Sequence, residues 1–119
     1  MLFMKDFLNE LAASELLFIV EGKNDFLSLK KLGVKRIMQY NGPLYRLIEK
    51  VSNNKKIVIL TDLDKEGRKL YGQIAKGLSE RGVIIDNYFR EYIFKNTKVR
   101  QIEGLHSYFA RRGLIPPEF

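Results

Sequence analysis

The chain has 119 residues, with 21 Lys and Arg against 14 Asp and Glu, a formal charge of +7, no cysteine and a single histidine. That length allows one domain with a real core. The missing cysteine excludes disulfides, thiolate zinc sites and a cysteine nucleophile, and His106 standing alone excludes a histidine-rich metal cage.

Hydrophobic residues make up 45% of the chain, enough to bury a core. No run approaches the ~18 apolar residues that a membrane span needs, so no membrane association is expected. Lys5 and Asp6 interrupt the apolar N-terminal stretch, so it reads as part of the fold rather than as a signal peptide, and a cytoplasmic protein is expected. The excess of positive charge points to an anionic partner, nucleic acid first, or serves solubility alone.

Leu2 to Ala13 places Phe3, Phe7, Leu8 and Leu11 on one helical face, which suits either a core or a homodimer. Leu16–Val20 is an unbroken apolar run, as expected of a strand covered on both faces. Asn24 or Asp25 then caps a helix carrying Phe26, Leu27, Leu29 and Leu32, closed by Gly33. Arg36–Tyr40 is a weaker strand candidate, and Pro43 opens a helix carrying Leu44, Leu47, Ile48 and Val51. Ile57–Leu60 reads as a strand, followed by a helix carrying Leu70, Tyr71, Ile74 and Leu78. Within that helix Gly72 and Gly77 suggest close packing on the sheet, and Gly82 follows its end. Val83–Ile85 is the next strand. Tyr88, Phe89, Tyr92 and Ile93 share a helical face, Val99–Glu103 reads as a short strand, and Leu105–Arg112 reads as a last helix stopped by Gly113 and Pro116-Pro117. Alternating strands and helices predict an α/β fold: an open, mainly parallel four-stranded sheet with helices on both faces. Residues 1–14 form an N-terminal helix on the core, 15–105 the core, and 106–119 a C-terminal helix and tail of the same domain.

Ligands of such sheets bind outside the carboxyl ends of the strands. Glu21 follows the first strand there, and Asp62, Asp64 and Glu66 follow the third. If the chain stays extended, Asp62 and Asp64 point the same way. Four carboxylates around one point repel one another, and a hard divalent cation relieves this, with Mg²⁺ or Mn²⁺ matching an all-oxygen set. The bland alternative is that Asp62 or Asp64 merely caps the following helix. Lys23, Lys65 and Arg68 lie beside the acids and either grip phosphates or balance charge.

Glu21-Gly22-Lys23-Asn24-Asp25 together with Asp62-Leu63-Asp64-Lys65-Glu66-Gly67-Arg68 resembles the Toprim domain of topoisomerases, bacterial primases and nucleases. The Glu-Gly-Lys-x-Asp stretch is similar to that of small stand-alone Toprim proteins and of the catalytic domain of the ribonuclease that matures 5S ribosomal RNA. Ile102-Glu103-Gly104-Leu105 is similar to a late stretch of those small proteins. The resemblance implies a Rossmann-like Toprim fold, with Glu21 as general acid/base that also touches metal, Asp62 and Asp64 as the metal-binding pair, and Glu66 as a third acid. It implies Mg²⁺-dependent phosphodiester cleavage on RNA or DNA. The accessory domains of the larger relatives do not fit within this length, which keeps open a non-catalytic module that binds nucleic acid, a nucleotide or a larger protein partner.

Two other phosphotransfer folds fit less well. Haloacid-dehalogenase phosphatases and receiver domains carry their acidic pair after the first strand, whereas here it follows the third. A dinucleotide site lacks its glycine turn, since Gly22 stands alone. Toward the C-terminus Arg90, Lys95, Lys98, Arg100, Arg111 and Arg112 interleave with Tyr88, Phe89, Tyr92, Phe94, Tyr108 and Phe109. The charges suit a phosphate backbone, with Arg100, Arg111 and Arg112 the chosen contacts, while the rings serve either bases or the core. His106 reads as a surface or hydrogen-bonded residue.

Overall fold

A computed structural model describes residues 3–115. Among these residues, four short segments form the strands β1 (Leu17–Val20), β2 (Arg36–Gln39), β3 (Lys56–Ile59) and β4 (Ile84–Asp86). They pair in the order β2-β1-β3-β4, all parallel. The helices are α1 (Met4–Ala13), α2 (Lys23–Lys31), α3 (Leu44–Val51), α4 (Lys65–Ser79), α5 (Tyr88–Asn96) and α6 (Leu105–Arg111).

Side-chain alternation along β1 and β3 creates two cores. Phe18, Val20, Val58 and Leu60 face α1, α2, α5 and α6, where Phe7, Leu29, Ile93 and Phe109 are buried. Leu17, Ile19, Ile57 and Ile59 face α3 and α4 and meet Leu47, Ile48, Val51, Ile74 and Leu78. The two central strands are thus covered on both sides, as their unbroken apolar runs require. β4 is an edge, and Ile84 on it is 60% exposed.

α1 turns Phe7, Leu8 and Leu11 into the chain's own core. Phe7 stacks on Tyr92 with centroids 4.0 Å apart and abuts Phe89 at 5.8 Å, contacts that hold the first helix against α5. Phe3 departs from the expected face: it precedes the helix and is exposed. Leu2 and Pro116-Pro117 lie outside the described residues.

Three local expectations are corrected. Gly22, not Asn24 or Asp25, precedes α2, and Asp25 sits in its first turn with Oδ2 accepting from the Gly22 N–H at 3.1 Å. Val99–Glu103 is not a strand; Ile102–Gly104 is a 3-10 turn. This segment crosses the exit of β3, where the Leu63 N–H donates to the Arg100 carbonyl at 2.6 Å, instead of pairing along the sheet. Gly72 and Gly77 do not pack on the sheet: a side chain at Gly77 would meet Ile48 of α3, and nothing lies within 4 Å of one at Gly72. Gly72→Ala is therefore expected to stabilise the protein by ~0.5–1 kcal/mol, the helix-propensity difference alone, read as a raised midpoint in urea.

In this strand order the connections leave β1 toward β2 on one side and reach β3 on the other. The crevice between the carboxyl ends of β1 and β3 is the topological switch point, where open α/β sheets place ligands.

Candidate active site at the β1–β3 edge

Glu21 is the first residue beyond β1, and Asp62 follows β3 by three positions. The Asp62 N–H donates to Glu21 Oε2 at 2.6 Å, which ties the two strand exits together. Asp62 is fixed from a second direction as well, because the Ile102 N–H donates to its Oδ1 at 2.8 Å. The 3-10 turn thereby brings Glu103 toward the same edge.

Beyond Asp62 the chain bends at Leu63 and Asp64 and does not remain extended. Asp64 precedes α4 and its Oδ1 accepts from the Gly67 N–H at 2.8 Å, so the helix-capping role is real. Glu66 lies exposed in the first turn of α4 and lines a cleft of about 310 Å³ with Glu21, Tyr40, Lys69, Leu70 and Gln73.

Buried Arg90 holds the floor of this edge. Its guanidinium donates to the carbonyls of Thr61 at 2.6 Å and Asp62 at 3.0 Å and lies 4.6 Å from the Tyr71 ring centroid. Arg90 therefore belongs to the scaffold and not, as its place in the basic C-terminal stretch suggested, to an external phosphate contact. Burial pulls its pKa down, while Tyr71, Glu21 and Asp62 pull it back up. Thr61 joins the same scaffold by donating its Oγ1 hydrogen to the Gly67 carbonyl at 2.6 Å.

The carboxyl groups sense one another. Burial raises the Glu21 pKa, the Asp62 N–H bond opposes this, and charge on Asp62 and Asp64 adds to the rise. Burial also raises Asp62, opposed by the Ile102 N–H and reinforced by Asp64 and Glu103. Asp25 is pushed up to about 6, first by burial and then by Asp62, with Glu21 and Glu103 contributing. The cluster is thus wider than the spacing predicted: Asp25 and Glu103 join it. Asp25 stands in the Glu-Gly-Lys-x-Asp stretch four residues after Glu21, and the turn from strand into helix brings it back toward the edge. Glu103 had no signal beyond its own short motif.

Asp25 carries a pH dependence with a definite sign. An acid whose pKa rises on folding costs stability once it ionises. In metal-free solution the cost is absent below about 4, grows up to about 6 and stays in full above it. The thermal midpoint measured in EDTA is expected to fall across that window, and Asp25→Asn is expected to flatten the fall.

Among the described residues no three acids stand at metal-ligand spacing. The expected convergence of Glu21, Asp62, Asp64 and Glu66 around one point is therefore not preformed. The donor chemistry still suits a hard cation: the carboxylates are all-oxygen donors in mutual repulsion, and Glu21, Asp62 and Asp64 each engage a backbone N–H through one oxygen.

The predicted basic contacts come from α2, α4, the segment before Ile102–Gly104 and the end of α6. Lys23 and Lys65 are exposed at the starts of α2 and α4, and Arg68 is exposed one turn into α4. Arg100 is exposed, with its guanidinium 4.7 Å from the Phe94 ring centroid. Arg111 shares a cleft of about 510 Å³ with Lys31, Asn24, Glu103 and Ser107, while Arg112 lies over Tyr108 at 4.2 Å. Phe89, Tyr92, Tyr108 and Phe109 are core residues, and His106 is buried rather than superficial. No helix among the described residues is long and apolar enough to cross a membrane.

The sequence model of a family described as Toprim-like matches residues 18–96, from β1 through α5. A UPF0292 protein of Methanocaldococcus jannaschii is 35% identical over 109 residues, covering 87% of this chain and 85% of that protein. A UPF0292 protein of Pyrococcus abyssi is 36% identical over 106 residues, covering 84% and 80%. A solved structure of a protein from Aquifex aeolicus aligns with a TM-score of 0.76 at 28% identity, over 85% of this chain and 96% of that one.

Proposed function

The chain belongs to the Toprim-like family, and from that premise we propose that its acidic edge cleaves phosphodiester bonds in nucleic acid with Mg²⁺, or Mn²⁺, as cofactor. The observation that carries this reading is the hydrogen bond joining Glu21 to the Asp62 backbone across the topological switch point, with Asp25, Asp64 and Glu103 electrostatically coupled around it.

Asp62 and Asp64 would hold the cation, each through the oxygen that its backbone N–H does not occupy. The bound ion supplies charge stabilisation on the phosphate oxygens. Glu21 moves the proton: its raised pKa brings it closer to neutrality than an ordinary glutamate, where a general acid/base works best. The Asp62 N–H fixes its carboxyl toward the β3 exit. Glu66 flanks the cleft that Glu21 lines, and Lys23, Lys65 and Arg68 give the polyanion its first cations.

The test is incubation of the protein with end-labelled RNA and DNA strands in Mg²⁺, Mn²⁺ or EDTA. Metal-dependent shortening of either strand is expected. Metal-dependent binding without any cleavage would replace this reading with the non-catalytic module.

A further inference from the structure

A second cleft, of about 370 Å³, opens beside the acidic edge and is lined by Leu63, Arg68, Arg90, Glu91, Phe94 and Lys95. Leu63 separates Asp62 from Asp64, so this cleft begins within one residue of the two acids. Phe94 is 46% exposed although it stands on a helix whose other rings are buried or packed on Phe7. Its ring is not bare: the Arg100 guanidinium lies over it at 4.7 Å and is held there by donating to the carbonyls of Thr97 and Val99 at 3.1 and 2.9 Å.

The cleft therefore offers an exposed aromatic ring, and from just outside its lining the Arg100 guanidinium is held as a planar cation against that ring. Arg68 and Lys95 extend from its walls, with Glu91 the opposing charge. Arg90 is occupied by backbone carbonyls and shapes the floor. A ligand complementary to this combination is flat and aromatic in one part and anionic in the next. An unpaired nucleotide meets both requirements, since aromatic rings and guanidinium planes stack on free bases while cations take the phosphates. A duplex does not, because its bases are stacked on one another and expose only their edges.

We propose that the cleft formed by Leu63, Arg68, Phe94 and Lys95 seats an unpaired base stacked on the Phe94–Arg100 pair, making single-stranded nucleic acid the substrate class. The proposal rests on the nucleic-acid reading above. The stacked nucleotide sits next to the acids, so the bond presented to Glu21 lies in or beside an unpaired stretch.

The experiment compares binding of the wild-type protein and Phe94→Leu to a labelled single strand and to its duplex by fluorescence anisotropy in EDTA, so that cleavage does not intervene. The expected result is that Phe94→Leu weakens single-strand binding by about tenfold or more and leaves duplex binding within about twofold, the loss expected of one stacked base. Phe94→Trp is expected to keep the preference. Strands carrying abasic positions, tested on the wild-type protein, make the result independent of any variant's folding: one position is expected to weaken binding by about tenfold. Equal effects on single strand and duplex, or indifference to every abasic position, would overturn the stacking site while leaving the nuclease reading intact. Failure of the wild-type protein to bind either form, in EDTA and again with Ca²⁺ in place of Mg²⁺, would overturn both.

Discussion

Gly67→Ala is expected to lose at least ~3 kcal/mol of stability, a fall of ~10–20 °C in thermal midpoint for a domain of this size. A Cβ at Gly67 would collide with the carbonyl oxygen and carbon of Asp62 and lie 2.7 Å from its Cα. These are backbone atoms and cannot rotate away as a side-chain tip can. The first turn of α4 is locked to the β3 exit from both sides, since the Gly67 N–H reaches Asp64 Oδ1 and its carbonyl accepts from Thr61. Asp62 is itself held by Glu21, Arg90 and Ile102. Relieving the collision means moving α4 or the residue on which the whole acidic edge is hung. Gly72→Ala, in the same helix but facing open space, is the built-in control. A Gly67→Ala protein melting at the wild-type temperature would contradict the packing described.

The second large effect concerns activity. Glu21→Gln is expected to lower the cleavage rate by ~10²–10⁴-fold, the range for loss of a general acid/base, at every Mg²⁺ concentration. Asp62→Asn is expected to act differently, weakening the metal requirement so that more Mg²⁺ is needed for half-maximal rate. Neither loss should arise from unfolding. Gln and Asn still accept the bonds now made by the Asp62 and Ile102 N–H groups. Both acids also have pKa values raised on folding, so each contributes unfavourably when ionised, and the neutral amides should leave stability at pH 7 equal or higher. Urea denaturation beside the rate measurements separates the two effects. Identical metal-dependence curves for the two variants would contradict the division of roles.

Much of this edge was legible in the residues because parallel strands covered on both faces must be nearly continuous apolar runs. Leu16–Val20 and Ile57–Leu60 mark such strands, and residues that follow parallel neighbours fall at one edge. Glu21 and Asp62 meet for that reason. The finer geometry escaped because it depends on contacts distant in the chain. Val99–Glu103 has the look of a strand, yet hydrogen bonds from Leu63 to Arg100 and from Ile102 to Asp62 hold it as a crossing segment, and with it Glu103. Asp25 reads locally as a helix cap, and only burial beside Asp62 gives it an acid of unusual pKa. Arg90 is one cation among many in a basic stretch, and charge alone does not tell which of them turns inward. Its role depends on the Thr61 and Asp62 carbonyls just beyond β3, which no pattern of residue types displays.

The most direct measurement is the single-turnover rate of cleavage of an end-labelled strand as Mg²⁺ is titrated, for the wild-type protein and Glu21→Gln side by side. The expected result is a rate that rises with Mg²⁺ to a plateau in the wild type and is lower by ~10²-fold or more in the variant. Equal rates in the two proteins, or no cleavage by the folded wild-type chain at any Mg²⁺ concentration, would contradict the assignment of the β1–β3 edge as a phosphodiester-cleaving site.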